Sequence, residues 1–227
     1  MRANALKPEG AGAGVPTGTA ADYINELMSR YSKGDDAVFD RLYASMASRL
    51  HRFCVRLAGA RADAEDLLQE TFLRVHRARA TYLPGVNAMY WAFAIARSVH
   101  LDRLRYRRRR PEALGSANDV AEDDALHTDD RYSPEAEART RDLVKVVTRE
   151  LRRMSEKNRV AYLLLQEEGL GVKEAAAVLG TSPDVVKQRA HRAYEQLRSA
   201  VGAAGWNERA KPAGTSVTDR RLRRLLG

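Results

Sequence analysis

Apolar residues recur every third or fourth position along most of this chain, and strand-like alternation is absent. Residues 35–59 set the pattern. Phe39, Leu42, Tyr43, Met46, Leu50, Phe53, Cys54 and Leu57 form one stripe. Asp35 and Asp36 offer N-caps, and Gly59 offers a stop. Residues 63–79 repeat the pattern with Ala64, Leu67, Leu68, Thr71, Phe72 and Val75. Their acids (Asp63, Glu65, Asp66, Glu70) come early and their bases (Arg74, Arg77, Arg79) late, which complements a helix dipole.

Pro84-Gly85 breaks the helical pattern, and Asn87 is placed to cap the next helix. That helix opens apolar and closes cationic. Tyr90, Phe93, Ala94 and Arg97 share a stripe that Trp91, Ile95 and Val99 widen. Six of the eight residues from Arg103 to Arg110 are arginine, and Pro111 ends the helix. Periodicity then disappears. Glu112 to Asp130 holds seven acids and no Lys or Arg, the composition of a tether. Ser133 and Pro134 restart a helix that Leu143, Val146, Val147 and Leu151 carry onward. Ser155 caps another, which Gly169 ends. A short helix, a turn at Gly180 and a longer helix to about Val201 complete the series.

The fold class expected is all-α, with two small helical domains joined by a flexible acidic linker. The divisions are a Gly/Ala/Pro-rich arm over 1–20, a domain over 21–111 and the linker over 112–132. A second domain over 133–201 and a basic tail over 202–227 complete the chain.

The second domain carries the sharpest local signal. Ala176 is small enough for two helices to cross closely, Gly180 makes the turn, and Val186 supplies a buried apolar residue early in the next helix. Ser182 caps that helix and Pro183 opens it. This is helix-turn-helix spacing, although two bundle helices with a Gly turn would share parts of it. The second helix then reads the major groove, with Lys187, Gln188, His191 and Arg192 toward solvent.

Charge supports an anionic partner. The chain has 227 residues, a formal charge of +9 and a pI near 9.9. Cys54 is its single cysteine, which excludes an internal disulfide and a cysteine zinc cluster and suits a reducing cytoplasm. No apolar run is long enough to span a bilayer. The five histidines have no metal-ligand spacing, and no phosphate loop or nucleophile elbow occurs. An enzyme, a metal site and a cofactor are therefore not expected. In the first domain, Tyr82, Tyr90, Trp91 and Phe93 precede Arg97, His100, Arg103 and Arg105. Stacking rings interleaved with cations suit single-stranded nucleic acid, and core packing is the competing role for Trp91 and Phe93. Asp66, Gln69 and Glu70 share the side of their helix away from Leu67, Leu68 and Phe72. Alone, that pattern is a solvated acidic face.

"DAEDLLQETFLRVHRA", a loop and "YWAFAIARSVHLDRLRYRRRR" resemble the second conserved region of bacterial sigma factors. The helix-turn-helix resembles sigma region four. With only these two domains, over about residues 22–201, the chain resembles the extracytoplasmic-function (ECF) group. The resemblance implies a non-catalytic initiation subunit with core RNA polymerase and promoter DNA as partners. It implies that Asp66, Gln69 and Glu70 dock on core polymerase. Tyr82, Asn87, Trp91, Arg97, His100, Arg103 and Arg105 would serve the melted −10 element. The duplex −35 element would fall to Lys187, Gln188, His191 and Arg192. The loop over 82–87 would hold a flipped base, but Leu83, Pro84 and Val86 replace the polar residues common there. The resemblance adds an anti-sigma factor as a candidate partner. The alternative is a two-domain helix-turn-helix regulator that is not a polymerase subunit. Such a regulator has no need of an acidic docking helix or of an aromatic-to-arginine helix.

Overall fold

The computed structural model describes residues 19–59, 61–109 and 134–205. The linker, Pro111, Ser133 and most of the arm and tail lie outside them. Within them the chain is helical, with no strand among the described residues. The helices are α1 (Ala20–Ser32), α2 (Phe39–Ala58), α3 (Arg61–Ala78), α4 (Ala88–Arg109), α5 (Pro134–Arg153), α6 (Glu156–Tyr162), α7 (Val172–Leu179) and α8 (Pro183–Ala203). A π turn over Leu163–Glu167 extends α6, and 3-10 turns cover Asp36–Val38 and Arg79–Thr81.

Most helix ends follow the expected chemistry. Gly59 closes α2 at φ 81°, a left-handed value that favours glycine. Ser155 and Ser182 accept from the backbone N–H groups of Asn158 and Val185. Asp35 departs from expectation. It makes no cap bond, and its carboxylate takes Arg30 at 2.7 Å instead. Asp36 opens the 3-10 turn, so α2 starts only at Phe39.

Helix α1, not among the elements expected above although Ile24, Leu27, Met28 and Tyr31 keep helical spacing, organises the first unit. A reciprocal capping box of Thr19 and Asp22 starts it. Ile24, Leu27, Met28 and Tyr31 bury its inner face. The Tyr31 hydroxyl meets Nδ1 of His76 in α3, and the Arg79 guanidinium lies 5.4 Å from the Tyr31 ring centroid. Asn25 reaches across to α4, where its Oδ1 accepts from the Ala88 N–H at 2.8 Å.

The two units share one core. Leu42, Met46, Leu50, Phe53, Phe72 and Phe93 of the first are continuous with Leu163, Leu164, Leu170, Ala175, Leu179 and Val186 of the second. Helix α7 packs on α4. A smaller cluster of Leu151, Met154, Ala193 and Leu197 ties α5 to α8. The sequence predicted two helical domains but not that they would pack together.

Polar links line this seam with a consistent sign. The first unit supplies arginines and the second supplies glutamates. Arg49 donates to the Glu168 carboxylate and to the Glu168 carbonyl, both at 2.6 Å. Arg97 pairs with Glu156 at 3.3 Å, and Arg56 with Glu167 at 3.5 Å. One arginine comes from the other side. Arg159 of α6 is buried and donates to the Leu57 carbonyl at 3.0 Å and the Leu151 carbonyl at 3.4 Å. Those carbonyls belong to the last turns of α2 and α5, which have no partner within their own helix. Arg159 thus caps two helices with one cation.

Candidate nucleic-acid interface

The helix-turn-helix forms as its spacing predicts. Ala176 is buried, Gly180 turns the chain at φ 59°, and Val186 is fully buried under α8. Pro183 opens α8 at a position where its missing N–H costs nothing. With Val186, Ala190, Ala193 and Leu197 inward, Lys187, Gln188, His191 and Arg192 all face solvent on the outer side. That face combines forked and point cations with an amide, the donors and acceptors that read guanine and adenine edges.

Helix α4 is anchored more elaborately. All four of its leading N–H groups are satisfied. Ala88 donates to Asn25 Oδ1, Met89 and Tyr90 donate to Asn87 Oδ1, and Trp91 donates to the Asn87 carbonyl. Asn87, an expected −10 contact, therefore spends its side-chain oxygen as a helix cap. Tyr82 is buried, donates its hydroxyl to the Val86 carbonyl, and meets Trp91 edge-on at 5.5 Å. The loop is thus pinned from inside, and Leu83 (69% exposed) and Val86 (41%) form its outer edge. Phe93 is core, packed 4.7 Å from Phe53, whereas Trp91 is half-buried.

The cations of α4 are sorted by depth. Arg97 is engaged by Glu156 of α6. His100, expected on the DNA side, is buried, and its Nε2 has no hydrogen-bond partner. Burial first, then the charges of Arg159, Arg107 and Arg103, push its pKa down to about 4, with Asp63 opposing. It is therefore neutral at physiological pH. Arg103 donates to the Asp63 carbonyl at 3.3 Å, and Arg107 pairs with the Asp63 carboxylate at 2.5 Å. Arg105, Arg108 and Arg109 are exposed, Arg105 beside Asp102 at 2.8 Å. In this arrangement Tyr82 and His100 do not face solvent, because the core claims both.

The third surface is on α3. Asp66 and Gln69 are exposed. Glu70 is half-buried beside Arg74, which reaches on to Asp102 at 2.7 Å. The Arg74 hydrogen bond leads the effects that hold the Asp102 carboxyl below its usual range. Leu73, 49% exposed, continues the same face and was not among the expected contacts. Its register would have revealed it. It lies four residues beyond Gln69 and seven beyond Asp66, outside the apolar stripe.

Among the described residues, no cluster of His, Cys, Asp and Glu could hold a metal ion, and no helix is long and apolar enough to cross a membrane.

Comparison with known proteins agrees with this arrangement. The model of sigma-70 region 2 matches residues 42–110, and that of sigma-70 region 4 matches residues 145–197. The chain is 35% identical over 175 residues to the RNA polymerase sigma factor CarQ of Myxococcus xanthus, covering 77% of this chain and 95% of that protein. It is 35% identical over 192 residues to the ECF RNA polymerase sigma factor SigE of Mycolicibacterium smegmatis, covering 81% of this chain and 67% of that one. Its fold is similar to that of the sigma factor RpoE of Bartonella quintana, solved in complex with the anti-sigma factor NepR. That match has a TM-score of 0.58 at 22% identity, over 72% of this chain and 96% of that one. With both sigma regions present in order and relatives matched over most of their length, this chain belongs to the ECF group of RNA polymerase sigma factors.

Proposed function

We propose that the chain works as a dissociable initiation subunit that binds core RNA polymerase and directs it to promoters. The observation that carries this reading is the pairing of two exposed faces of opposite chemistry in one sigma-family chain. The α3 face offers Asp66, Gln69, Glu70 and Leu73, an acidic and amide surface with an apolar contact. That composition fits a basic surface on core polymerase. The outer face of α8 offers Lys187, Gln188, His191 and Arg192 to the −35 duplex.

Helix α4 and the loop before it serve the −10 element in this reading. Arg105, Arg108 and Arg109 form the exposed phosphate-binding end, and Trp91, Arg97 and Arg103 lie nearer the loop. Asn87 and Tyr82 act as positioning residues, because their polar atoms hold the loop and the helix start. The chain then supplies recognition and strand capture, and the polymerase supplies catalysis. An anti-sigma factor is a fitting regulatory partner, since the RpoE neighbour was solved with one.

Run-off transcription tests the reading, with bacterial core polymerase and the promoter upstream of the chain's own gene. Transcription that depends on the added chain is the expected result. No stimulation, with no co-purification of core polymerase, would overturn it.

A further inference from the structure

The loop between α3 and α4 commits most of its polar groups to itself. The Tyr82 hydroxyl donates to the Val86 carbonyl, and the Val86 N–H donates to the Leu83 carbonyl at 3.1 Å. Pro84 has no N–H to offer. Asn87 gives its side-chain oxygen to the Met89 and Tyr90 N–H groups and its carbonyl to the Trp91 N–H. The outer rim is left apolar. Leu83, at 69%, is the most exposed large apolar side chain among the described residues, and Val86 is 41% exposed. Between them Gly85 turns the chain at φ 93°, where a Cβ would meet nothing within 4 Å. The rim is therefore open as well as apolar. Behind it stand the buried Tyr82 and the half-buried Trp91, ring edge to ring.

This rim lies at the start of the same helix whose far end exposes Arg105, Arg108 and Arg109. An anionic strand held along α4 by those arginines presents its bases to the loop. We propose that the loop over 82–87 selects thymine, through apolar contact of Leu83 and Val86 with the C5 methyl group rather than through hydrogen bonds to a base edge. The proposal rests on the −10 reading of α4 and its loop given above.

The chemistry of the rim singles out this base. Thymine alone among the DNA bases carries a methyl group. Covering it with aliphatic side chains is worth about one buried methylene, a preference of about fourfold. The polar side chain at the rim, Asn87, has its oxygen committed and keeps only N–H donors. Donors suit the carbonyl oxygens of thymine and not the exocyclic amino groups of cytosine and adenine. Guanine offers a carbonyl but no methyl group. The Tyr82 strap and the Asn87 cap also fix the loop before a strand arrives, so little ordering is left to occur on binding.

The methyl group can be removed from the base without altering the protein. The complex of the full chain with bacterial core polymerase is titrated by fluorescence anisotropy against labelled homopolymer single strands. These are oligo-dT, oligo-dU, oligo-dC and the C5-methylated form of oligo-dC. Oligo-dT should bind about fourfold tighter than oligo-dU, and methylated oligo-dC about fourfold tighter than oligo-dC. Base stacking within the strand and surfaces of the polymerase can also sense a methyl group, so the same titrations are made with a variant carrying Leu83→Asn and Val86→Thr. Both side chains are exposed, and the replacements keep the shape of the rim while making it polar. In this variant both ratios should fall to about one. Equal binding of oligo-dT and oligo-dU by the wild type, or a ratio that survives in the variant, would overturn the thymine preference and leave the −10 reading standing. Failure to bind any single strand would remove the −10 reading itself, and this proposal with it.

Discussion

Arg159 and Leu57 are 102 positions apart, yet the guanidinium of one donates to the carbonyl of the other at 3.0 Å. The contact ties the second unit to the C-terminal end of α2. Substituting Arg159→Met removes the donor from both helix ends and should lower stability by about 1–3 kcal/mol. Arg159→Lys should rescue little of this, because one ammonium cannot reproduce the planar fork that spans both carbonyls. Thermal unfolding of the three proteins checks the order, with wild type highest and the two variants together below it.

His100 makes the shared core sensitive to acid. Its neighbours are Arg103 and Arg107 on α4, Asp63 on α3 and Arg159 on α6. Its pKa in the packed state is about 4, below the ordinary imidazole value. The neutral form is therefore favoured by packing. Its contribution to stability is fully present above about pH 6.5 and is lost as pH falls toward 4, with a slope of up to about 1.4 kcal/mol per pH unit. Melting temperatures between pH 7 and pH 4.5 should fall more steeply for wild type than for His100→Gln. Parallel curves would show that His100 does not report on packing.

Leu73 separates partner binding from folding. It is half exposed, so Leu73→Ala should change stability by no more than about 0.5 kcal/mol. Its affinity for core polymerase should drop about tenfold if the apolar contact is worth about 1.4 kcal/mol. Combining it with Asp66→Ala and Gln69→Ala should abolish co-purification while helical content stays native. Retained co-purification would place the docking surface elsewhere.

Duplex binding by α8 should depend steeply on salt. Each phosphate neutralised contributes about −0.9 to the slope of log K against log salt. Lys187→Ala or Arg192→Ala should flatten the slope by about 1 where that side chain meets a phosphate. A changed base preference with an unchanged slope would instead mark a base-edge contact. Titrations at four salt concentrations, on the promoter duplex and on a scrambled one, distinguish the two.

Much of this fold is written locally, and those parts were legible. The Ala176–Gly180–Val186 spacing, the Ser155 and Ser182 caps and the stripe on α2 each depend on residues within one or two turns. The same locality explains the exposed face of α8. What escaped was long-range. His100 sits at a position a DNA reader would use, yet the core encloses it, whereas the Asn87 cap is local and was expected. Arg97 reads as a free cation until Glu156, 59 residues on, is brought beside it. No periodicity encodes a contact between units that each fold on a pattern of their own.

The Asn25–Ala88 hydrogen bond bears on where this chain can be cut. Similarity to region 2 begins at residue 42, so a fragment trimmed to that similarity would omit α1. It would lose the acceptor for the first N–H of α4 and the tyrosine that holds His76. The damage would appear far along the sequence, as fraying where the loop over 82–87 enters its helix. The boundary of ancestry and the boundary of independent folding therefore differ in this protein by a whole helix.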